Sequence, residues 1–124
     1  MKWVKRGLIY SPRRDHWWAR SHGFLPTAEV IEGRRVRVYF TGLDDHKFGR
    51  IGYVELDIKE PQKSLYFTTE PILDLGEIGT FDDSGVNPSS IVEVDGRKYL
   101  YYIGWQRAER VPYMIFSGLA VSED

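Results

Sequence analysis

The 124-residue sequence is 42% hydrophobic and 28% charged, the balance of an ordinary soluble domain, and its 17 Lys and Arg against 18 Asp and Glu leave a net charge of -1. Near-neutrality supplies no global basic field, so neither nucleic acid nor an acidic membrane surface is an expected partner. The absence of cysteine excludes a disulfide framework and a thiolate zinc site and fits a reducing compartment, so a cytoplasmic location is expected.

From the N-terminus, Lys2 to Tyr10 carries Lys2, Lys5 and Arg6 without the apolar stretch of a signal peptide, and reads as a strand followed by a loop up to residue 20. Period-two alternation then predicts strands over Leu25 to Glu32, Arg35 to Leu43 and Arg50 to Ile58, with an outer strand near Lys63 to Phe67. In the second of these, Val36, Val38 and Phe40 share one face. Ile31-Glu32-Gly33-Arg34 and Val94-Asp95-Gly96-Arg97 read as tight hairpins, the second through an Asp-Gly pair that favours positive φ. Lys98 to Ile103 is a continuous apolar run, as in a strand covered on both faces, and Tyr113 to Ser122 is expected as an unpaired edge. No window offers a helical stripe, and none approaches the roughly eighteen apolar residues of a membrane helix, so the fold is expected to be all-β.

The chain repeats itself. Pro26-Thr27-Ala28-Glu29-Val30 aligns with Pro88-Ser89-Ser90-Ile91-Val92, and Arg35 to Gly42 aligns with Arg97 to Gly104 at the same offset of 62. Further on, Ile51-Gly52-Tyr53 aligns with Ser117-Gly118-Leu119 at an offset of 66, so four residues have entered the second copy, in its connecting loop by expectation. Each copy reads as hairpin-linked strands forming one blade of a β-propeller. The expected organisation is one domain over 1–124, with an N-terminal strand and loop (1–20), a first blade (21–74) and a second, incomplete blade (75–124). Two blades without neighbours leave apolar faces uncovered, so a homodimer or higher homo-oligomer is expected, formed by stacking or by exchange of Lys2 to Tyr10.

Ser21-His22-Gly23-Phe24-Leu25-Pro26, Val38-Tyr39-Phe40, Arg50-Ile51-Gly52-Tyr53-Val54, Tyr101-Tyr102-Ile103-Gly104-Trp105 and above all Asp82-Asp83-Ser84-Gly85-Val86-Asn87-Pro88-Ser89-Ser90 resemble the glycosidase-like proteins of the five-bladed β-propeller superfamily. That superfamily includes arabinanases, xylosidases, levansucrases and mannoside phosphorylases. The resemblance spans essentially the whole chain and covers two blades. It implies a partial five-bladed propeller, a saccharide ligand and chemistry through an oxocarbenium-like transition state served by two carboxyl groups. In the enzymes these groups come from different blades, an Asp from each of the first two and a Glu acid from the third. Here Leu25 stands before Pro26, where catalytic relatives usually have Asp. The expectation is therefore a carbohydrate-binding, glycosidase-like protein lacking the full catalytic set. The alternative is an active glycoside hydrolase or glycosyltransferase-type enzyme whose site is completed by oligomerisation.

Asp82 and Asp83, before the first strand of the second copy, are the candidate catalytic carboxylates. The competing role is an Asx hydrogen bond that caps the turn ahead of Gly85. As loop residues, both are expected to be dispensable for folding. His22, Asp44, Asp45, Asn87, Trp105 and Trp18 are the candidate saccharide contacts, the last two as stacking platforms unless they pack in the core. His16, His22 and His46 show no metal-ligand spacing, and neither metal nor cofactor is expected.

Overall fold

The structure, a computed structural model, describes residues 1–122 and is all-β. Among these residues no helix is long and apolar enough to cross a membrane. The strands are β1 (Ser21–Glu32), β2 (Arg35–Leu43), β3 (Gly49–Asp57), β4 (Ser64–Phe67), β5 (Gly85–Val94), β6 (Arg97–Arg107) and β7 (Tyr113–Ser122). They form one sheet in the order β1-β2-β3-β5-β6-β7, with β4 on β3. Within β1–β4 and within β5–β7 every pairing is antiparallel. These two units meet through a single parallel pair, Gly49 with Gly85.

Register carries the repeat into three dimensions. Phe40 faces Gly52 as Tyr102 faces Gly118, and Gly42 faces Arg50 as Gly104 faces Phe116. The four additional residues are not in the loop. The ladder that ends at Leu43–Gly49 in the first unit runs on past its counterpart, Trp105–Ile115, through Gln106–Met114 and Arg107–Tyr113. The loops 44–48 and 108–112 are equally long. Both hairpins form where the sequence places them, with Asp95 and Gly96 at φ 50 and 75 as a mirror-type turn requires.

Residues 1–20 hold no strand, which corrects the expectation for Lys2 to Tyr10. Gly7 adopts a positive φ of 96, and the segment is anchored by side chains rather than by a ladder. The Tyr10 ring packs 4.4 Å from Phe40 and 5.4 Å from Phe67, and the Gln62 amide donates to the Arg6 carbonyl at 2.7 Å.

Alternation along β2 sends Val36, Val38 and Phe40 to one face and Tyr39 to the other. The first set, with Val54 and Leu56, forms a cluster closed by Trp18, Ala19, Tyr10 and Phe67. Each large apolar side chain so buried contributes about 1.5–3 kcal/mol. Gly52 makes this possible, because a Cβ there would lie 2.1 Å from the Trp18 ring. Tyr39 and Ile51 on the opposite face join Val86, Leu100 and Tyr102 of the second unit in another cluster. Thr41 reinforces it by donating its hydroxyl to the Val86 carbonyl at 2.9 Å.

Among the described residues nothing covers the far face of the second unit. Tyr101, Leu119, Val121 and Ile115 are exposed there, with Val92 and Val94 beside them. By the repeat, Tyr101 stands where Tyr39 stands and Leu119 where Tyr53 stands, positions that the first unit packs against the second.

Candidate functional site

Pairing Ser21 with Leu43, Leu43 with Gly49, Gly49 with Gly85 and Gly85 with Trp105 brings the starts of β1, β3 and β5 and the ends of β2 and β6 to one rim. The loop 44–48 and residues 82–84 occupy this rim, and Asp44 organises the loop. Its Oδ1 accepts the His46 and Phe48 N–H groups at 2.9 and 3.0 Å, and its Oδ2 accepts Arg50 Nη1 at 2.7 Å. Burial pushes this carboxyl upward, but the Phe48 N–H and Arg50 outweigh burial and hold it below the usual carboxylate range. Asp45 is exposed and accepts Arg20 Nε at 3.3 Å.

His22 is exposed at φ 65, with Nδ1 3.0 Å from Ser21 Oγ. It and Leu25, at φ 54, accompany the first two of the three register shifts of β1. Left-handed backbone in bulky residues stores strain, and such strain clusters at binding sites. Asp83 accepts the Gly79 N–H and the Ser84 hydroxyl, each at 2.9 Å, and Gln106 Nε2 at 3.5 Å. The Gly79 N–H is the main reason its carboxyl lies below the ordinary value. It is only partly buried and remains open to solvent.

Asp82 points the other way. It is buried, with Tyr102 Oη donating to Oδ2 and Thr80 Oγ1 to Oδ1, both at 2.9 Å. Burial first, then the bond to Asp82, pushes the Tyr102 hydroxyl up to about 12. With its two oxygens spent inside the second unit, Asp82 does not join Asp83 in a pair facing one ligand.

The aromatic candidates divide in the same way. Trp18 is 0% exposed, stacks on Phe40 and Phe67 and gives its N–H to the Thr69 carbonyl at 3.0 Å, so it offers no ring face to a ligand. Its neighbour Trp17 is 48% exposed, with the Arg50 guanidinium 4.8 Å from its ring. Trp105 is buried over Gly85, where a Cβ would come within 2.0 Å of its ring, and its N–H lies 3.4 Å from the Oδ1 of buried Asn87. Trp18, Trp105 and Asn87 are therefore packing residues, placed inside because Gly52 and Gly85 leave room for the indoles.

His22, Asp44, Asp45 and Asp83 are left at the rim. Sequence reasoning passed over its cations. Arg107 Nη2 donates to the His46 carbonyl at 2.6 Å with its guanidinium 4.3 Å from the Phe48 ring, and Lys47, at φ 66, reaches Ser21 Oγ at 3.4 Å. No motif marks them; only the register, which carries β6 two pairs past the first unit's ladder, sets Arg107 beside loop 44–48. The rim thus mixes carboxylate, imidazole, ammonium and guanidinium, groups that hydrogen-bond hydroxyls in either sense. Among the described residues, no group of three or more His, Cys, Asp or Glu is placed to hold a metal ion.

At the opposite end, between the units, a cavity of about 710 Å³ is lined by Arg37, Tyr39, Tyr53, Leu100, Ala120 and neighbours. Its charges are matched: Arg37 Nη2 is 2.8 Å from Glu55 Oε1, Lys98 pairs with Glu29, and the Tyr39 hydroxyl donates to Glu29 at 2.9 Å.

No family model matches the chain. It is similar to two uncharacterized proteins of Mycobacterium tuberculosis, from strains CDC 1551 / Oshkosh and ATCC 25618 / H37Rv, each 43% identical over 123 residues. The alignment covers 99% of this chain but 41% of either relative, so the chain spans about two-fifths of their length.

Proposed function

We propose that the chain is a saccharide-binding, glycosidase-like module made of two blades of a five-bladed propeller, without a complete catalytic set. The observation that carries this reading is the rim, where His22, Asp45, Lys47, Asp83 and Arg107 gather beside strained backbone at the strand starts. The blade interpretation draws support from the repeated register. It also draws support from β1 and β5, the first strands of the two copies, which touch where Thr27 Oγ1 donates to the Ser89 carbonyl at 3.3 Å. Retaining and inverting glycosidases need two carboxyl groups flanking one bond, about 5–10 Å apart. Asp44 and Asp82 have their oxygens engaged inside the protein, and Leu25 supplies none.

A glycan array run alongside a panel of nitrophenyl glycosides tests this function. Binding without turnover, lost in Asp83→Asn, is the expected result, and an array with no hits removes the proposal. The alternative, an enzyme completed by self-association, is favoured by one feature, the uncovered Tyr101–Leu119 face of the second unit. Light scattering showing a dimer, together with turnover that Asp83→Asn abolishes, would establish it instead.

A further inference from the structure

Trp17 and Trp18 are adjacent, yet only one of them closes a core. At the turn made by the Ala19 N–H on the His16 carbonyl, 3.3 Å away, Trp18 goes inward at 0% exposure while Trp17 stays 48% exposed. Exposed though it is, Trp17 is fixed from two directions. Its N–H donates to Glu70 Oε2 at 2.9 Å, next to the bond that Trp18 makes to the Thr69 carbonyl. The Arg50 guanidinium covers one ring face at 4.8 Å, and Arg50 is itself held between Asp44 Oδ2 and Asp74 Oδ1, at 2.7 and 2.6 Å. With the N–H engaged and one face under a cation, the indole is left with its other face for solvent or a ligand. Nothing in the repeated plan demands this pair: at the position of Arg50 the second unit carries Phe116, whose ring neighbour is Phe81 of the same unit.

The pair borders the rim. Arg50 reaches Asp44, which organises loop 44–48, and Arg20, three residues after Trp17, reaches Asp45 at 3.3 Å. Among the described residues, Glu70 Oε1 and Asp74 Oδ2 accept no hydrogen bond, and both side chains are exposed. We infer that the open face of Trp17 is a stacking platform for one sugar ring of an oligosaccharide whose neighbouring unit lies at the rim. The inference rests on the saccharide-binding reading and adds to it a second subsite and a ligand of at least two units. A sugar ring suits the place because its C–H face meets the electron-rich indole face while its hydroxyls donate to the carboxylates alongside. A plain aromatic group would use the ring and leave Glu70 and Asp74 without donors, and a bare anion would be repelled by both. Since Glu70 and Arg50 already orient the indole, little side-chain freedom is lost on binding.

The test is calorimetric titration of the full chain with gluco-, manno-, xylo- and arabino-oligosaccharides of one to four units. In the series that binds, affinity should rise about tenfold at the length that spans rim and platform. Trp17→Ala should remove that step and leave the affinity for the single unit, and Trp17→Phe, which keeps a smaller ring, should restore part of it. Both variants should melt with the parent. Should Trp17→Ala not fold, the indole N–H resonance of Trp17 in the isotope-labelled parent decides: it should shift with the longer saccharide and not with the single unit. Binding that depends on Asp83 but keeps the same length profile in Trp17→Ala overturns this inference and leaves the saccharide reading standing. No binding by any series overturns both. Self-association lost in Trp17→Ala, with saccharide affinity unchanged, would give the ring to a second copy and overturn the inference as well.

Discussion

The two units share a strand plan and a register but differ in what covers them. The first has Trp18 and Tyr10 over one face, the second unit over the other, and β4 along its edge. Among the described residues, the second unit is covered on one face, and no strand pairs with β7 on the side away from β6. Identical pairing thus does not confer equal local stability. Opening free energy follows the apolar contacts that must be broken, so the second unit is expected to exchange its amides faster than β2 and β3.

The sharpest way to break this comparison is to remove the first unit's cover. Trp18→Ala should cost about 3–5 kcal/mol, as truncation of a fully buried tryptophan does, read from urea or thermal unfolding. Trp17→Ala, one residue away but exposed, should stay within about 0.5 kcal/mol. Equal losses would mean that the segment around Trp18 is not what closes the first cluster.

A second contrast separates two adjacent residues of the second unit. Asp82→Ala leaves the buried Tyr102 hydroxyl without its acceptor and should destabilise by on the order of 1–3 kcal/mol, an outcome that departs from the expectation that both aspartates are dispensable for folding. Asp83→Ala should alter the melting temperature little and any saccharide binding strongly. Reversed effects would move the candidate site inward. Of similar size or smaller, Gly96→Val should cost roughly 1–3 kcal/mol by forcing a β-branched residue to positive φ. A melting temperature unchanged from the parent would discount that turn.

The smallest effect is acid sensitivity, and it belongs mainly to the first unit. For Glu55, burial raises the carboxyl's pKa, but hydrogen bonds from Arg37 and Arg35 outweigh it and hold the folded value below the ordinary one. A group depressed on folding stabilises the protein above its unfolded value of about 4.3, and that contribution is lost as pH falls through the folded value. Stability should therefore decline below roughly pH 4.5. Glu55→Gln should flatten that decline while lowering stability at neutral pH; an unchanged acid limb would assign it to other carboxylates.

Strands and hairpins were legible because alternation at Val36, Val38 and Phe40 and the Asp95-Gly96 pair act locally. The repeat was legible because two copies of one plan need the same residues at matching places. The fate of the indoles was not. Trp18 and Trp105 go inside because glycines in other strands, Gly52 and Gly85, vacate the space, and no local pattern records that pairing. Lys2 to Tyr10 holds the strand formers Trp3, Val4, Ile9 and Tyr10, but a strand also needs an edge to pair with, and the chain anchors Tyr10 on Phe40 instead. The rim was half visible: its carboxylates sit in recognisable loops, whereas Lys47 and Arg107 join it only through register and backbone torsion.

The four residues that distinguish the second copy entered as two facing pairs, and that parity has a consequence for how such chains lengthen. An even step on each strand keeps the side chains of β7 on their sides of the sheet, so Ala120 still packs against the cluster of Leu100 and Tyr102 after the ladder has grown. A single-residue slip of β7 against β6 would turn Ala120 outward and bring Leu119 and Val121 in against the seam between the units. Length variation at this hairpin is thus quantised, and an insertion with odd parity on one strand is tolerated only where a bulge, like those beside Leu25 and Ser89, absorbs the remainder.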